Sequence, residues 1–337
     1  MSDTGAPSPE LFLQIANAYR DSAALKGAVD LDLFTGIAEG ATSVPALAAR
    51  CHATERGMRI LCDYLVVLGF LTKSGATYAL TRDSAVFLDR RSPAYMGDAV
   101  HFLLGPLFTT NISDVAASVR KGGVATSARG SDEPGHPQWV EFARSMTGMM
   151  RKPAELFAQT VDLPAGRATR VLDIAAGSGV YGIAVAARHP QARVTAVDWP
   201  NVLQVARDNA VAAGVADRLD YLPGSAFEVT FTAPYDAVLV CNFLHHFDRP
   251  SCETFLARAR DVLAPDGRIH VVEFVPNEDR VSPPVAATFA LQMLRQTPGG
   301  DAYTAAEYTT MFEHIGMRVE SVAPLVPGAS SVIVARR

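Results

Sequence analysis

Several function classes leave marks that this 337-residue chain lacks. It has four cysteines, Cys51, Cys62, Cys241 and Cys252, none arranged as a CxxC pair. Neither a zinc knuckle nor a dithiol redox motif is therefore indicated, and reduced thiols in a cytoplasmic protein are the expectation. A basic excess is also missing: 30 Lys and Arg stand against 35 Asp and Glu, a formal net charge of -5. Nucleic acid is thus not an expected partner. No apolar run reaches the roughly 20 residues that span a bilayer, and the most apolar stretch, Ile60 to Leu71, is interrupted by Asp63. The opening MSDTGAPSPE has neither the basic start nor the apolar stretch of a signal peptide. Without a spanning run no membrane partner is expected, and no internal repeat or low-complexity segment appears.

What is present suits a globular protein of two domains: 49% apolar and 19% charged residues over a length generous for one core. From about Pro9 to Ala28 the chain reads as helical, with Leu11, Ile15, Ala18, Tyr19 and Ala23 at helical spacing. Ser43 is placed to cap a short helix, VPALAARC, and a longer helix runs from Glu55 to Leu68. Gly69 ends it, and FLTKSGATYALT alternates like a two-stranded wing about Ser74-Gly75. Helix, turn, helix and wing make a winged-helix module. Two roles fit: DNA binding or a dimerisation scaffold. Residues 1–106 carry nine Lys and Arg against eleven Asp and Glu, and counterion release needs several basic contacts, so the scaffold is favoured.

The middle segment reads as helices around a polar, Gly-rich insert, KGGVATSARGSDEPGHP. The helix after it, WVEFARSMTGMMRKPAELFAQTV, is dense in Met and Phe. Such a stripe packs a core or, so close to the next domain, lines a pocket through Phe142, Met146 and Met149. From Thr169 onward strands and helices alternate, which implies an α/β fold with a parallel sheet wrapped on both faces. Expected domains are 1–105, a mainly helical linker 106–162, and an α/β domain 163–337.

The first strand of that domain runs into Asp173-Ile-Ala-Ala-Gly177-Ser-Gly179-Val-Tyr-Gly182, and Asp198 closes the second strand. Glycines permit a tight turn and close ligand approach; a carboxylate at Asp198 suits ribose hydroxyls. The glycine pattern alone fits an NAD domain equally well. Asp173 discriminates, because a carboxylate would repel pyrophosphate but suit a phosphate-free cation such as S-adenosylmethionine (SAM). Its alternative role is a cap on the following helix.

VLDIAAGSG, then AVD, PGSAF and NFLHHFD after successive strands, resembles the class I SAM-dependent methyltransferases. With its winged-helix front, nearly the whole chain resembles the dimeric small-molecule O-methyltransferases of plant phenylpropanoid and bacterial polyketide-tailoring type. The resemblance implies a Rossmann-like sheet of seven strands with the last antiparallel, and a homodimer joined through the N-terminal domain. It also implies methyl transfer from SAM, leaving S-adenosyl-L-homocysteine (SAH), to a hydroxyl of an aromatic or polyketide-like small molecule. By position it assigns Asp173, Gly177, Gly179, Asp198, Trp199, Ser225, Ala226, Phe227 and Asn242 to the cofactor. Phe142, Met146, Met149, His246, Phe289 and Met293 fall on the acceptor side. His245 takes the place of the base and Glu273, at the tip of VVEF, that of its orienting carboxylate. The chain departs from the family pattern at four places: Ser225 replaces an Asp, Cys241 a Lys, His246 an acidic neighbour, and Ala302 a second flanking Glu, with Asp301 one residue off. Those departures keep C- or N-methylation open. Metal assistance through His245, His246, Asp248 and Glu273 stays open on residue type, though adjacent histidines point in different directions and no metal site is expected. Phe289 and Met293 form either a lid or core, and Tyr303 is a further candidate for the pocket.

Overall fold

The computed structural model describes residues 7–106, 109, 115–125, 138–232 and 234–337. Most of the Gly-rich insert, residues 126–137, lies outside them. The chain divides into two compact units, Met1–Gly105 and Pro106–Arg337.

In the first unit, helices Val44–Arg50 and Glu55–Val67 are each started by a side chain that satisfies an amide the helix leaves open. Ser43 Oγ accepts from the Ala46 N–H, and Thr54 Oγ1 accepts from the Gly57 N–H. Gly69, at φ 83°, turns the chain out of the second helix. Strands β1 (Leu71–Ser74) and β2 (Thr77–Leu80) then pair antiparallel, so the wing is present. Its apolar side packs with Leu47, Met58, Cys62 and Leu65 into one core. The foremost helices, Glu10–Asn17 and Tyr19–Asp30, differ from that pattern. Leu11, Phe12, Ile15 and Tyr19 stay about two-thirds exposed, an apolar face on which Arg20 lies over the Tyr19 ring.

The second unit is built on a seven-stranded sheet of order β5-β4-β3-β6-β7-β9-β8. Strands β3 (Thr169–Ile174), β4 (Ala192–Asp198), β5 (Leu219–Pro223), β6 (Tyr235–Cys241) and β7 (Leu263–Glu273) run parallel. Strands β8 (Arg318–Val326) and β9 (Ser330–Arg336) are antiparallel additions at one edge. Buried on both faces, the central strands read as continuous apolar runs. On one face Leu172, Ile174, Val238 and Val240 meet Phe255, Tyr308 and Phe312. On the other Val171, Val194 and Leu239 meet Phe157 and Val185. The order reverses between β3 and β6, so the strand ends there open into a crevice where ligands of such sheets bind. Among the described residues no helix is long and apolar enough to cross a membrane.

Candidate active site

At the β3–β4 end the backbone carries most of the structure. The loop after β3 turns through positive φ at Ala175 (49°), Gly177 (58°) and Gly179 (76°), and Gly179 sits at the start of helix Val180–Arg188. Side chains are disfavoured there, which explains glycine at two of the three positions. Gly182, one turn into the helix, has a packing reason: a Cβ would lie 2.6 Å from Asp173 Oδ2 and 2.9 Å from Val194 Cγ1. Its bareness lets the helix settle on the sheet, and its N–H donates to Asp173 Oδ2 at 3.0 Å. The Asp173 side chain is thus wholly buried beneath the helix and tied to its first turn. Burial pushes its carboxyl up to about 7, against the pull of the Gly182 N–H. Asp173 thus performs the helix-anchoring role that stood as the alternative to ligand binding.

Asp198 accepts from two backbone amides, Gly177 N–H at 2.8 Å and Trp199 N–H at 2.7 Å. Burial moves it up to about 6, with both amides opposing. Trp199, half-buried, precedes helix Pro200–Ala212. Ser225 Oγ accepts from Phe227 N–H at 3.2 Å, so its hydroxyl is engaged in its own turn. Ala226 is buried, and the Phe227 ring meets Phe247 and Phe255 edge-on at 4.9 and 5.6 Å, which makes it part of the core. Asn242, at φ 53°, aims its side-chain amide at Tyr181 Oη, 3.4 Å away. The loop and both strand tips offer two carboxyls and no basic side chain. That donor set fits a cationic, phosphate-free nucleoside.

At the β6–β7 end, side chains do the organising. After β6 the chain makes a 3-10 turn, Leu244–His246, that presents both histidines. Glu273, the last residue of β7 and fully buried, accepts from Phe243 N–H at 3.0 Å and His245 N–H at 3.3 Å through Oε1. Its Oε2 lies 2.7 Å from His245 Nδ1. A carboxylate only accepts, so Nδ1 carries the ring proton and Nε2 is left as a basic nitrogen. The turn is braced from behind. Cys252 Sγ donates to the Leu244 carbonyl at 3.2 Å and Tyr303 Oη donates to the Phe247 carbonyl at 2.6 Å. A Cβ on Gly300 would meet the His245 carbonyl at 2.1 Å. Tyr303 is therefore a support for the turn.

Aromatic rings wall the two histidines. Phe289 meets His245 edge-to-face at 4.8 Å and stacks on Phe274 at 3.9 Å. Trp139 meets His246 at 5.4 Å and Phe142 at 5.8 Å, and Phe142 also approaches the Gly177 turn. The structure thus brings Phe142, His245, His246, Glu273 and Phe289 together. Met293 is wholly buried and belongs to the core side of helix Pro284–Gln296. Met146 is buried and Met149 half-buried on helix Gln138–Ala158, where Pro153 withholds the amide that would bond the Met149 carbonyl. Trp139 and Phe274 were missed by the sequence reading. Both flank residues it did choose, yet no local pattern marks an aromatic that faces a site rather than a core.

Burial lowers His246 well below the ordinary histidine range, and the neighbouring His245 adds to it. Asp248 is occupied as a helix cap, accepting from Ser251 N–H at 2.9 Å. Among the described residues no three His, Cys, Asp or Glu side chains converge as a metal set. Asp301 turns from the histidines to its own Ala302 N–H and to Arg280, 3.6 Å away. A cavity of about 700 Å³ opens behind the turn, lined by Asp248, Arg249, Ala290, Leu294 and Gly300. Of the residues singled out in the sequence, Asp248, Asp301 and Tyr303 line it, and His245, His246 and Glu273 do not.

Residues 126–318 match the O-methyltransferase domain family, and residues 13–90 match the O-methyltransferase dimerisation domain. A 3-hydroxy-5-methyl-1-naphthoate 3-O-methyltransferase of Streptomyces sahachiroi is 28% identical over 98% of this chain and 97% of its own length. A crystal structure of a candidate O-methyltransferase from Nostoc punctiforme is 49% identical, covers 99% of this chain and 100% of that one, and superposes with a TM-score of 0.91. Human N-acetylserotonin methyltransferase in complex with SAM shares the fold at 22% identity and a TM-score of 0.85, covering 100% of this chain and 99% of its own.

Proposed function

This chain belongs to the SAM-dependent small-molecule O-methyltransferases that carry an N-terminal dimerisation domain, and from that premise we propose that it methylates a hydroxyl of an aromatic or polyketide-like acceptor, with His245 as the base. The observation that carries this reading is the 2.7 Å contact between His245 Nδ1 and Glu273 Oε2. It leaves Nε2 as the accepting nitrogen, between aromatic walls suited to a flat ring. SAM, when bound, supplies an electrophilic methyl group on a sulfonium. Gly177, Gly179 and Asp198 hold its ribose and methionine ends, with Asp173 beneath them and Trp199, Ser225, Ala226 and Asn242 around the adenosine. His245 removes the acceptor proton, Glu273 fixes the ring, and Phe142, His246 and Phe289 position the acceptor. Holding acceptor and donor in line supplies much of the rate, and the base supplies the remainder. Residues 1–105 act as the dimerisation scaffold, and the exposed face of Leu11, Phe12, Ile15 and Tyr19 supports a homodimer.

The test is mass spectrometry of an aromatic acceptor panel incubated with isotope-labelled SAM. The label is expected on oxygen, with SAH formed in equal amount. His245→Ala is expected to lower kcat by about 10²–10⁴-fold while SAM still binds. Full turnover by that variant removes the base assignment.

A further inference from the structure

The surroundings of His245 carry a statement about which hydroxyls the enzyme accepts, resting on the reading that His245 is the base. When His245 takes the acceptor proton, its ring becomes a buried cation. Such a charge is costly unless countered. Among the described residues one carboxylate answers it, Glu273, and that group also accepts two backbone amides. The remaining neighbours are neutral. The His246 ring lies at 4.4 Å between centroids, and burial keeps it uncharged. The Phe289 ring lies at 4.8 Å and Phe274 at 6.3 Å. Asp301 is turned to Arg280 and the Ala302 amide.

We propose that this site is selective for acidified hydroxyls, those of hydroxyquinones, nitro- or carbonyl-conjugated phenols and similar vinylogous acids, over ordinary phenols. The acceptor's O–H bond breaks with its proton passing to Nε2 and its electron pair staying on oxygen. That oxygen bonds the methyl carbon while the C–S pair returns to sulfur, which leaves SAH, and the imidazolium later releases its proton to water. An acceptor that yields its proton readily demands little of the singly countered base. The same singly countered imidazolium forms with either acceptor, so one that holds its proton tightly gives it up to Nε2 at a larger cost.

The experiment is a rate series at fixed pH on the full-length protein, using 2-naphthols of one skeleton whose hydroxyl pKa runs from about 7 to about 10. Turnover is expected to fall by about tenfold or more from the acidic to the weakly acidic end. His246→Asp places a second carboxylate beside the ring and is expected to narrow that gap. A rate that rises with acceptor pKa, or stays flat, overturns the proposal while leaving the O-methyltransferase reading intact. So does a gap that a folded, SAM-binding His246→Asp protein leaves unchanged. If no member is methylated although calorimetry shows SAM bound, the aromatic-acceptor reading itself falls, and this inference with it.

Discussion

At the β3–β4 end of the sheet, backbone amides hold carboxyls: Gly182 holds Asp173, while Gly177 and Trp199 hold Asp198. At the β6–β7 end the relation is inverted, and one carboxylate, Glu273, holds two amides and an imidazole. A backbone-built site depends on where glycine is allowed and tolerates varied side chains around it. A side-chain-built site concentrates its order in one group. The acceptor end is therefore where a single atom exchange does the most damage, and the cofactor end is where charge and pH matter more than shape.

Glu273→Gln breaks this comparison most sharply. The amide keeps an oxygen for the Phe243 and His245 N–H groups but turns an NH2 toward Nδ1. Nδ1 must then accept, the ring proton moves to Nε2, and the base is lost. We expect kcat to fall by roughly 10³–10⁴-fold with little change in melting temperature. Glu273→Ala, in contrast, leaves two buried amides unpaired at about 1–3 kcal/mol each, so its melting temperature falls as well. Comparing kcat and thermal melts for the two variants separates orientation from folding.

At the cofactor end, Asp173→Asn sharpens the contrast with a smaller effect. Burial holds the Asp173 carboxyl up at about 7, so it is only about half ionised at neutral pH. A cationic ligand needs the ionised form, and SAM affinity is expected to weaken as pH falls below about 7, by up to about tenfold per unit. The asparagine variant should bind SAM about tenfold more weakly at pH 8, with no slope between pH 7 and 8, and only the fall from Asp198, raised to about 6, remains at lower pH. Stability changes with the opposite sign. A carboxyl whose folded value is raised favours folding fully below its unfolded value near 3.8, and that contribution is lost as pH rises through about 7. Relative to wild type, Asp173→Asn therefore gains more stability at pH 8 than at pH 5, and none below about pH 3.8. Calorimetry and melts at both pH values check each sign.

The same contrast explains what was legible in the sequence. The cofactor end is local: Asp173, Gly177, Gly179 and Asp198 lie within one strand–helix–strand unit, and spacing plus glycine tolerance points to them directly. His245 and Glu273 were legible by position, the first in the turn after one strand and the second at the tip of the next. The rest of the acceptor end is assembled from distant segments: Trp139 and Phe142 on one helix, Phe289 on another, and Phe274 just after β7, and such segments look alike whether they face a core or a site. Periodicity grouped Phe289 with Met293; the Phe289 ring meets His245, while Met293 is wholly buried. Spacing singled out Asp173, but its burial and its bond from the Gly182 amide depend on how closely the helix settles, which spacing does not encode.

The smallest effect concerns the one residue in the cofactor turn where the rule of glycine is not followed. Ala175 sits at φ 49° between β3 and Gly177, and a left-handed alanine is strained by about 1–2 kcal/mol. Glycine removes that strain but adds about 0.5–1 kcal/mol of unfolded-chain freedom. Ala175→Gly should therefore stabilise the fold by no more than about 1 kcal/mol, a rise of roughly 2–4 °C in melting temperature. Because Ala176 N–H still bonds the Val197 carbonyl at 3.0 Å and Gly179 N–H the Ala176 carbonyl at 2.7 Å, the turn keeps its shape and SAM affinity should not move. A drop in melting temperature would mean that the Ala175 methyl, which packs against the sheet's larger core, contributes more than the strain it carries, and that side chains matter at this end of the sheet too.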